Sequence, residues 1–390
     1  MIPPYDESLD EDSGEEFPKY QIDAQPIKKS FKSWHKLRKQ YVREEQWCKS
    51  IDWLLQNNKL DGRPLRYLGL PGHELLDIRM FHDAICLPKK IKFRYMGFWK
   101  PDVDDASLRL ELEISMEEVR RMPQTEATSK VVHDDFRALS SCDSVAWKDA
   151  LEIGPFDIVN VDLCDGFYVD APGEVADTYY SALANLLTLQ AGVGGPWVLF
   201  LTTRIGVGHT HQSTLSRLKA MIEKNLRECP DFQKACLEKI GVKNSAAVAD
   251  ALNRDKSRRD LMAVGLGKWL IHLGLEASPR WKVTVQNILE YKVFKSSESN
   301  DLISIAFRFE PIVHAPNDKH RFAAPKDNKI PTECELAAAS VEVAVKRFDV
   351  DKRMALALPA RETLADRAAD LMRQARYDPV AYKTWALNEC

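Results

Sequence analysis

Two carboxylates, Asp162 and Asp165, close the apolar run Phe156-Asp157-Ile158-Val159-Asn160-Val161-Asp162-Leu163-Cys164-Asp165. Carboxylates held at the end of such a run can take a proton from a reacting hydroxyl or amine. His133 and His209 are further candidate bases, and Cys164 is either a nucleophile or a small packing residue. His209 and His211 are spaced as a metal could use them, but no third ligand accompanies them and no metal is assigned. The turn Gly69-Leu70-Pro71-Gly72 lets backbone approach a ligand closely, and the helical pattern after it favours an anion or polar group. A third chemistry lies near the N-terminus. Residues 28–43 hold seven Lys and Arg and no acid, with Phe31, Trp34, His35 and Tyr41 interleaved. Cations mixed with rings can hold phosphates and stack bases. Lys32, Trp34, His35, Lys36, Arg38, Lys39 and Arg43 are therefore candidate nucleic-acid contacts; the alternative is a solvated helix face docked by its tryptophans.

Particular elements must position these groups. Residues 156–163 and 197–203 read as buried parallel strands, and the helical spacing of Tyr179, Leu183, Leu186, Leu187 and Gln190 lies between them. Strand, helix, strand is a right-handed βαβ unit, whose ligands lie beyond the strand carboxyl ends. Earlier strands are expected at Leu65–Gly69, Ile91–Phe98 and Lys130–Phe136, with an irregular stretch at 101–128 holding a short helix near Met116–Met122. Residues 213–276 read as an inserted helical subdomain, and Trp281–Phe294 with Asp301–Phe309 as a hairpin. Two strands joined by about six polar residues cannot form a parallel crossover, so the last strand is expected to run antiparallel.

This order of elements, over about residues 60–312, resembles a class I S-adenosylmethionine-dependent methyltransferase. The predicted fold class is accordingly α/β: a Rossmann-like methyltransferase sheet of five parallel strands plus a C-terminal antiparallel hairpin, with a helical insertion and helical N- and C-terminal additions. Gly69-Leu70-Pro71-Gly72 resembles the first glycine turn of that family, and Asp134-Asp135-Phe136 the acid ending its third strand. The resemblance implies that Gly69, Pro71, Gly72, Asp134, Asp135 and Phe136 hold S-adenosylmethionine, with Asp162 and Asp165 near the transferred methyl. The chain is most similar in cast to poorly characterised bacterial methyltransferase-like proteins, some associated with mobile elements and phage defence. It also departs from the family. Tyr67 stands where an acid is usual, and the second strand runs into Gly97-Phe98-Trp99-Lys100 without the acid that holds the ribose. Asp162-Leu163-Cys164-Asp165 is not the motif used for amino methylation of bases. Two functions follow: an active methyltransferase acting on nucleic acid, or a catalytically degenerate module that binds nucleic acid or serves in assembly. Other dinucleotide-type enzymes on a similar sheet form a third class.

The chain has 390 residues, 45% hydrophobic, and net charge −3. It divides into an acidic disordered tail (1–27), a basic aromatic helical segment (28–60), the α/β domain (61–315), a linker (316–331) and a helical appendix (332–390) packed on the main domain or on a protein partner. No apolar run reaches the ~20 residues that cross a bilayer, so no membrane role is expected. The acidic N-terminus is no signal or transit peptide. Eight scattered cysteines suit reduced thiols and a cytoplasmic protein.

Overall fold

The computed structural model describes residues 30–100, 105–163, 165–169, 178–294, 297, 300–312, 330–356 and 358–389. The acidic tail, Lys28, Lys29, Cys164 and linker residues 316–329 lie outside the described residues. In chain order, a helix enters first: α1 (Leu37–Val42), a π-helical turn (Arg43–Cys48), then α2 (Lys49–Asn57). Strand β1 (Leu65–Gly69) leads to α3 (Leu76–Phe81), a second π-turn (His82–Cys86) and α4 (Leu87–Lys89). Then follow β2 (Phe93–Phe98), α5 (Ala106–Arg120), β3 (Lys130–Val132), α6 (Val145–Ile153), β4 (Ile158–Asp162), α7 (Tyr179–Gln190) and β5 (Trp197–Arg204). Four helices separate β5 from the hairpin: α8 (Gln212–Glu228), α9 (Pro230–Ile240), α10 (Ser245–Leu252) and α11 (Asp255–Glu276). The hairpin is β6 (Trp281–Tyr291) and β7 (Leu302–Pro311). The chain closes with α12 (Glu333–Val345), β8 (Phe348–Asp349), α13 (Val350–Leu356), α14 (Leu358–Gln374) and α15 (Pro379–Asn388).

The strands form one sheet in the order β3-β2-β1-β4-β5-β7-β6-β8. β1 to β5 are mutually parallel, and β7 runs antiparallel to both β5 and β6. This is the expected sheet of five parallel strands with a C-terminal antiparallel hairpin. Both faces are covered, which is why the strands read as continuous apolar runs rather than alternating ones. Leu68, Met96, Val159, Val161 and Leu199 pack on one face with α6 to α12. Tyr67, Phe93, Ile158, Val198 and Phe200 pack on the other with α1, α2, α3, α5 and α13 to α15. β1 feeds α3 on one face and its neighbour β4 feeds α7 on the opposite face. The crevice between β1 and β4 is therefore a topological switch point, where such sheets take ligands.

Several expectations change. Residues 106–120 are a full helix, capped by Asp105, whose carboxylate accepts the Ser107 N–H at 2.8 Å. Its buried residues Leu112, Ser115 and Val119 make a narrow stripe under an exposed charged face, so the charge masked the period. β3 stops at Val132, short of the acids that follow. β8 adds a parallel edge beside β6 that its two residues gave no pattern to anticipate. Cys229 and Cys334 form a disulfide across 105 residues, against the expectation of reduced thiols throughout. Among the described residues, no helix is long and apolar enough to cross a membrane.

Trp47 fastens the N-terminal helix to the sheet. It is fully buried and stacks on Phe200 of β5 at 5.9 Å. Trp47→Ala is expected to cost about 3–5 kcal/mol of unfolding free energy in urea titration. A loss below about 1 kcal/mol would mean the helix is a detachable cover rather than part of the core.

Candidate functional site

The glycine turn is shaped by close contact on one side and open space on the other. A Cβ on Gly69 would overlap the Tyr67 hydroxyl and the Asn160 carbonyl, so β1 and β4 can approach only over a glycine. Gly72 has φ +67° and nothing within 4 Å of where a side chain would stand. Pro71 is buried and lies against Gly97 of β2. Tyr67, where the resemblance expects an acid, is fully buried, and burial followed by the nearby Asp77 charge pushes its phenol well above the ordinary range. It stays neutral. The side chain of Asn160 faces the same switch point, and its Oδ1 is buried without a hydrogen-bond partner.

The basic segment does not lie in solvent as a helix face. His35, Lys36, Arg38, Lys39 and Arg43 are all buried, each against an acid distant in sequence. Arg43 pairs with Asp77 in the first turn of α3 at 2.7 Å, and His35 with Glu74 at 2.8 Å. Arg38 meets Asp351 at 2.5 Å, and Lys36 meets Glu389 at 3.0 Å. Lys39 pairs with Asp162 at the carboxyl end of β4 while its ammonium lies 4.7 Å from the Trp47 ring centre. Unpaired, these charges would be expelled from the core; paired, they fix the helix in register over the strand ends. Lys32 and Trp34 are the exposed members of the set.

The set therefore splits. His35 and Arg43 are committed inward. Lys36, Arg38 and Lys39 line a cavity of about 90 Å³ with Trp34, Asp162 and Lys292. This cavity opens where β4 ends and the N-terminal helix crosses the β6–β7 hairpin. Lys39 was a candidate from the sequence, but its pairing with Asp162, 123 positions away, was not legible there, and Lys292 belongs to no motif.

Glu74, two residues beyond Gly72, ties this cover together. Its carboxylate accepts the Trp34 Nε1–H at 3.0 Å, the His35 Nε2–H at 2.8 Å and the Tyr377 hydroxyl. The Lys32 N–H donates to His35 Nδ1 at 3.1 Å, which leaves Nε2 as the protonated nitrogen. Burial alone would raise Glu74; the His35 hydrogen bond, with His73 and the Tyr377 hydroxyl, outweighs it and holds the carboxyl well below its usual range.

The remaining predicted residues lie apart. Asp135 caps the short helix after β3, and its carboxylate takes Arg137 at 2.8 and 3.0 Å. Burial works to raise it, and the bonds from Arg137 prevail and lower it. Asp134 Oδ1 accepts the Asp135 N–H at 2.7 Å. Phe136 is 1% exposed and packs edge-on to Phe98 at 5.7 Å, which makes it core rather than the ligand contact expected. Asp165 is 66% exposed and lines no part of the Asp162 cavity. His209 Nδ1–H donates to it at 2.5 Å while Nε2 accepts from Arg204 at 2.9 Å, so neither ring nitrogen is left to act as a base. Just after β2, Trp99 is edge-on to His133 at 5.7 Å.

The open turn at Gly72 and the orphan Asn160 Oδ1 fit the amino-acid end of S-adenosylmethionine, which brings a charged ammonium and carboxylate into the crevice. Gly69, Pro71 and Gly72 would form its floor, with Trp99, Asp134 and Asp135 at the strand ends beyond. Glu74 links this floor to its cover. Because folding lowers its pKa, its contribution is complete above the ordinary carboxylate range and is lost as pH falls below it. Stability should therefore drop between about pH 5 and pH 3, and Glu74→Gln should flatten that part of the profile. Equal slopes for the two proteins in urea unfolding would remove Glu74 from the account.

Among solved structures, the chain is similar to a Listeria monocytogenes protein assigned to the class I S-adenosylmethionine-dependent methyltransferases, at 12% identity and TM-score 0.34. That match covers 71% of this chain and 63% of the other. Magnesium protoporphyrin IX methyltransferase of Synechocystis, solved with bound SAH, is similar at 12% identity and TM-score 0.30, over 70% of this chain and 84% of its own. The chain thus spans less than two thirds of the first of these. No curated protein matches the sequence. The model of the PP_RS20740-like family matches residues 28–387, nearly all of the described structure, and the chain belongs to that family.

Proposed function

We propose that this protein transfers a methyl group from S-adenosylmethionine to nucleic acid at the carboxyl end of β4. The observation that carries the reading is the Lys39–Asp162 pair, 8% and 16% exposed, facing a cavity lined by further cations and by Trp34. S-adenosylmethionine, when bound, supplies an electrophilic methyl on a sulfonium. The chain's part is to hold the acceptor and to remove its proton. Asp162 is the proton acceptor. Lys39, steadied by the Trp47 ring, fixes the carboxylate and balances its charge until the proton arrives. Trp34, 36% exposed at the rim, offers a face for a base. Lys36 and Arg38 give the wall positive charge. The bacterial-defence setting implied by the sequence resemblance belongs to the same reading.

A second reading, a degenerate module that binds nucleic acid without catalysis, is favoured by two positions. Tyr67 and the run Gly97-Phe98-Trp99-Lys100 lack the acids that the methyltransferase resemblance implies for the donor. The readings separate in a transfer assay with labelled donor and single-stranded oligonucleotides. The active reading expects incorporation by the wild type and a loss of about 10²–10⁴-fold in Asp162→Asn, with donor affinity retained. Full activity in Asp162→Asn would overturn the role of Asp162. Donor binding without any incorporation would overturn nucleic acid as the acceptor.

A further inference from the structure

We infer that the cavity beside Asp162 is a subsite for a single oxyanion, the size and charge of one phosphate group. The inference rests on the nucleic-acid reading for its natural source, but the chemistry of the subsite stands on its own geometry. Four cations, Lys36, Arg38, Lys39 and Lys292, line the cavity against one carboxylate, Asp162. The acids that pair with Lys36 and Arg38, Glu389 and Asp351, are not part of its lining. They pair those two cations from outside the lining, as Asp162 pairs Lys39 from within it, so Lys292 is the cavity's cation without an ion pair among the described residues. The Lys292 backbone N–H is taken by Asp351 at 2.9 Å, whereas its ammonium has no ion pair among the described residues. Ser33 belongs to the same wall.

Size selects the ligand. About 90 Å³ admits a few waters or one tetrahedral oxyanion. It is far below the roughly 300 Å³ at which small-molecule pockets begin, so a nucleoside does not fit inside. A phosphate seated there would receive the Lys292 ammonium and a guanidinium edge of Arg38, both charge-assisted donors. Its ester substituent would leave through the mouth, past Trp34. The arrangement reads a phosphate and leaves the attached group outside, next to the ring that can stack on it.

Titration of inorganic phosphate into the full chain, followed by calorimetry, tests this. The wild type is expected to show one saturable site. Lys292→Gln, which keeps the side chain's heavy-atom count and breaks no ion pair among the described residues, should weaken it at least tenfold. Lys346→Ala, an exposed cation on the Glu342 side of α12, should leave it unchanged. No saturable site in the wild type, or equal affinity in Lys292→Gln, would overturn the subsite. A short single-stranded oligonucleotide that displaces phosphate, with both weakened together by Lys292→Gln, supports a polymer phosphate as the source. If phosphate binds through Lys292 and the oligonucleotide fails to displace it, the subsite stands for a free phosphate source and the nucleic-acid reading falls.

Discussion

The ion pair between Lys39 on α1 and Asp162 at the end of β4 is the contact from which the rest of the site takes its position. A lysine in a buried environment must find a partner or give up its charge, and removing one member of such a pair typically costs about 3–5 kcal/mol. Lys39 therefore sets how the N-terminal helix crosses the strand ends. Arg43 with Asp77 fixes the same helix one turn later, and Gln46, donating to the Ser304 carbonyl at 2.9 Å, fixes it against β7. The helix is a structural wall of the crevice, not an arm resting on it. Aromatic packing completes the wall: the Phe31 ring lies 5.1–5.5 Å from those of Tyr377, Tyr382 and Trp385, so both ends of the chain meet over one face of the sheet.

That joint explains why the C-terminal helices share a core with the N-terminal segment. Leu364, Ala368, Met372 and Tyr382 are buried in the same cluster as Leu37, Trp47 and Tyr67. Glu74 is bonded by Trp34 and His35 from one end of the chain and by Tyr377 from the other. A change at the glycine turn is thereby felt at both ends. On the opposite face, α11 approaches β6 closely; Gly274 lies where any side chain would collide with Val283.

The sheet was legible in the sequence because burial on both faces leaves a local mark. Val159, Val161, Leu199 and Leu201 stand in runs that need no knowledge of distant residues. The antiparallel return of β7 followed from loop length alone. The cation segment was legible in sign but not in place. Its seven charges look identical whether they face solvent or an acid 313 residues away, as Arg38 faces Asp351. Helix α5 was hidden by charge on its exposed face, and β8 by its two-residue length. The Cys229–Cys334 bridge has no spacing signal, since its ends are 105 positions apart. Asp162 was singled out from its strand end, and its pairing with Lys39 only from the fold.

The account stands on the crevice between β1 and β4 being a donor site. Calorimetric titration of S-adenosylmethionine into the full chain tests it most directly. One saturable site in the wild type, preserved when Asp162 is changed to Asn and lost when Gly72 is replaced by a bulky residue such as Trp, is the predicted result. No saturable binding by the wild type, or binding indifferent to a side chain at Gly72, would contradict it.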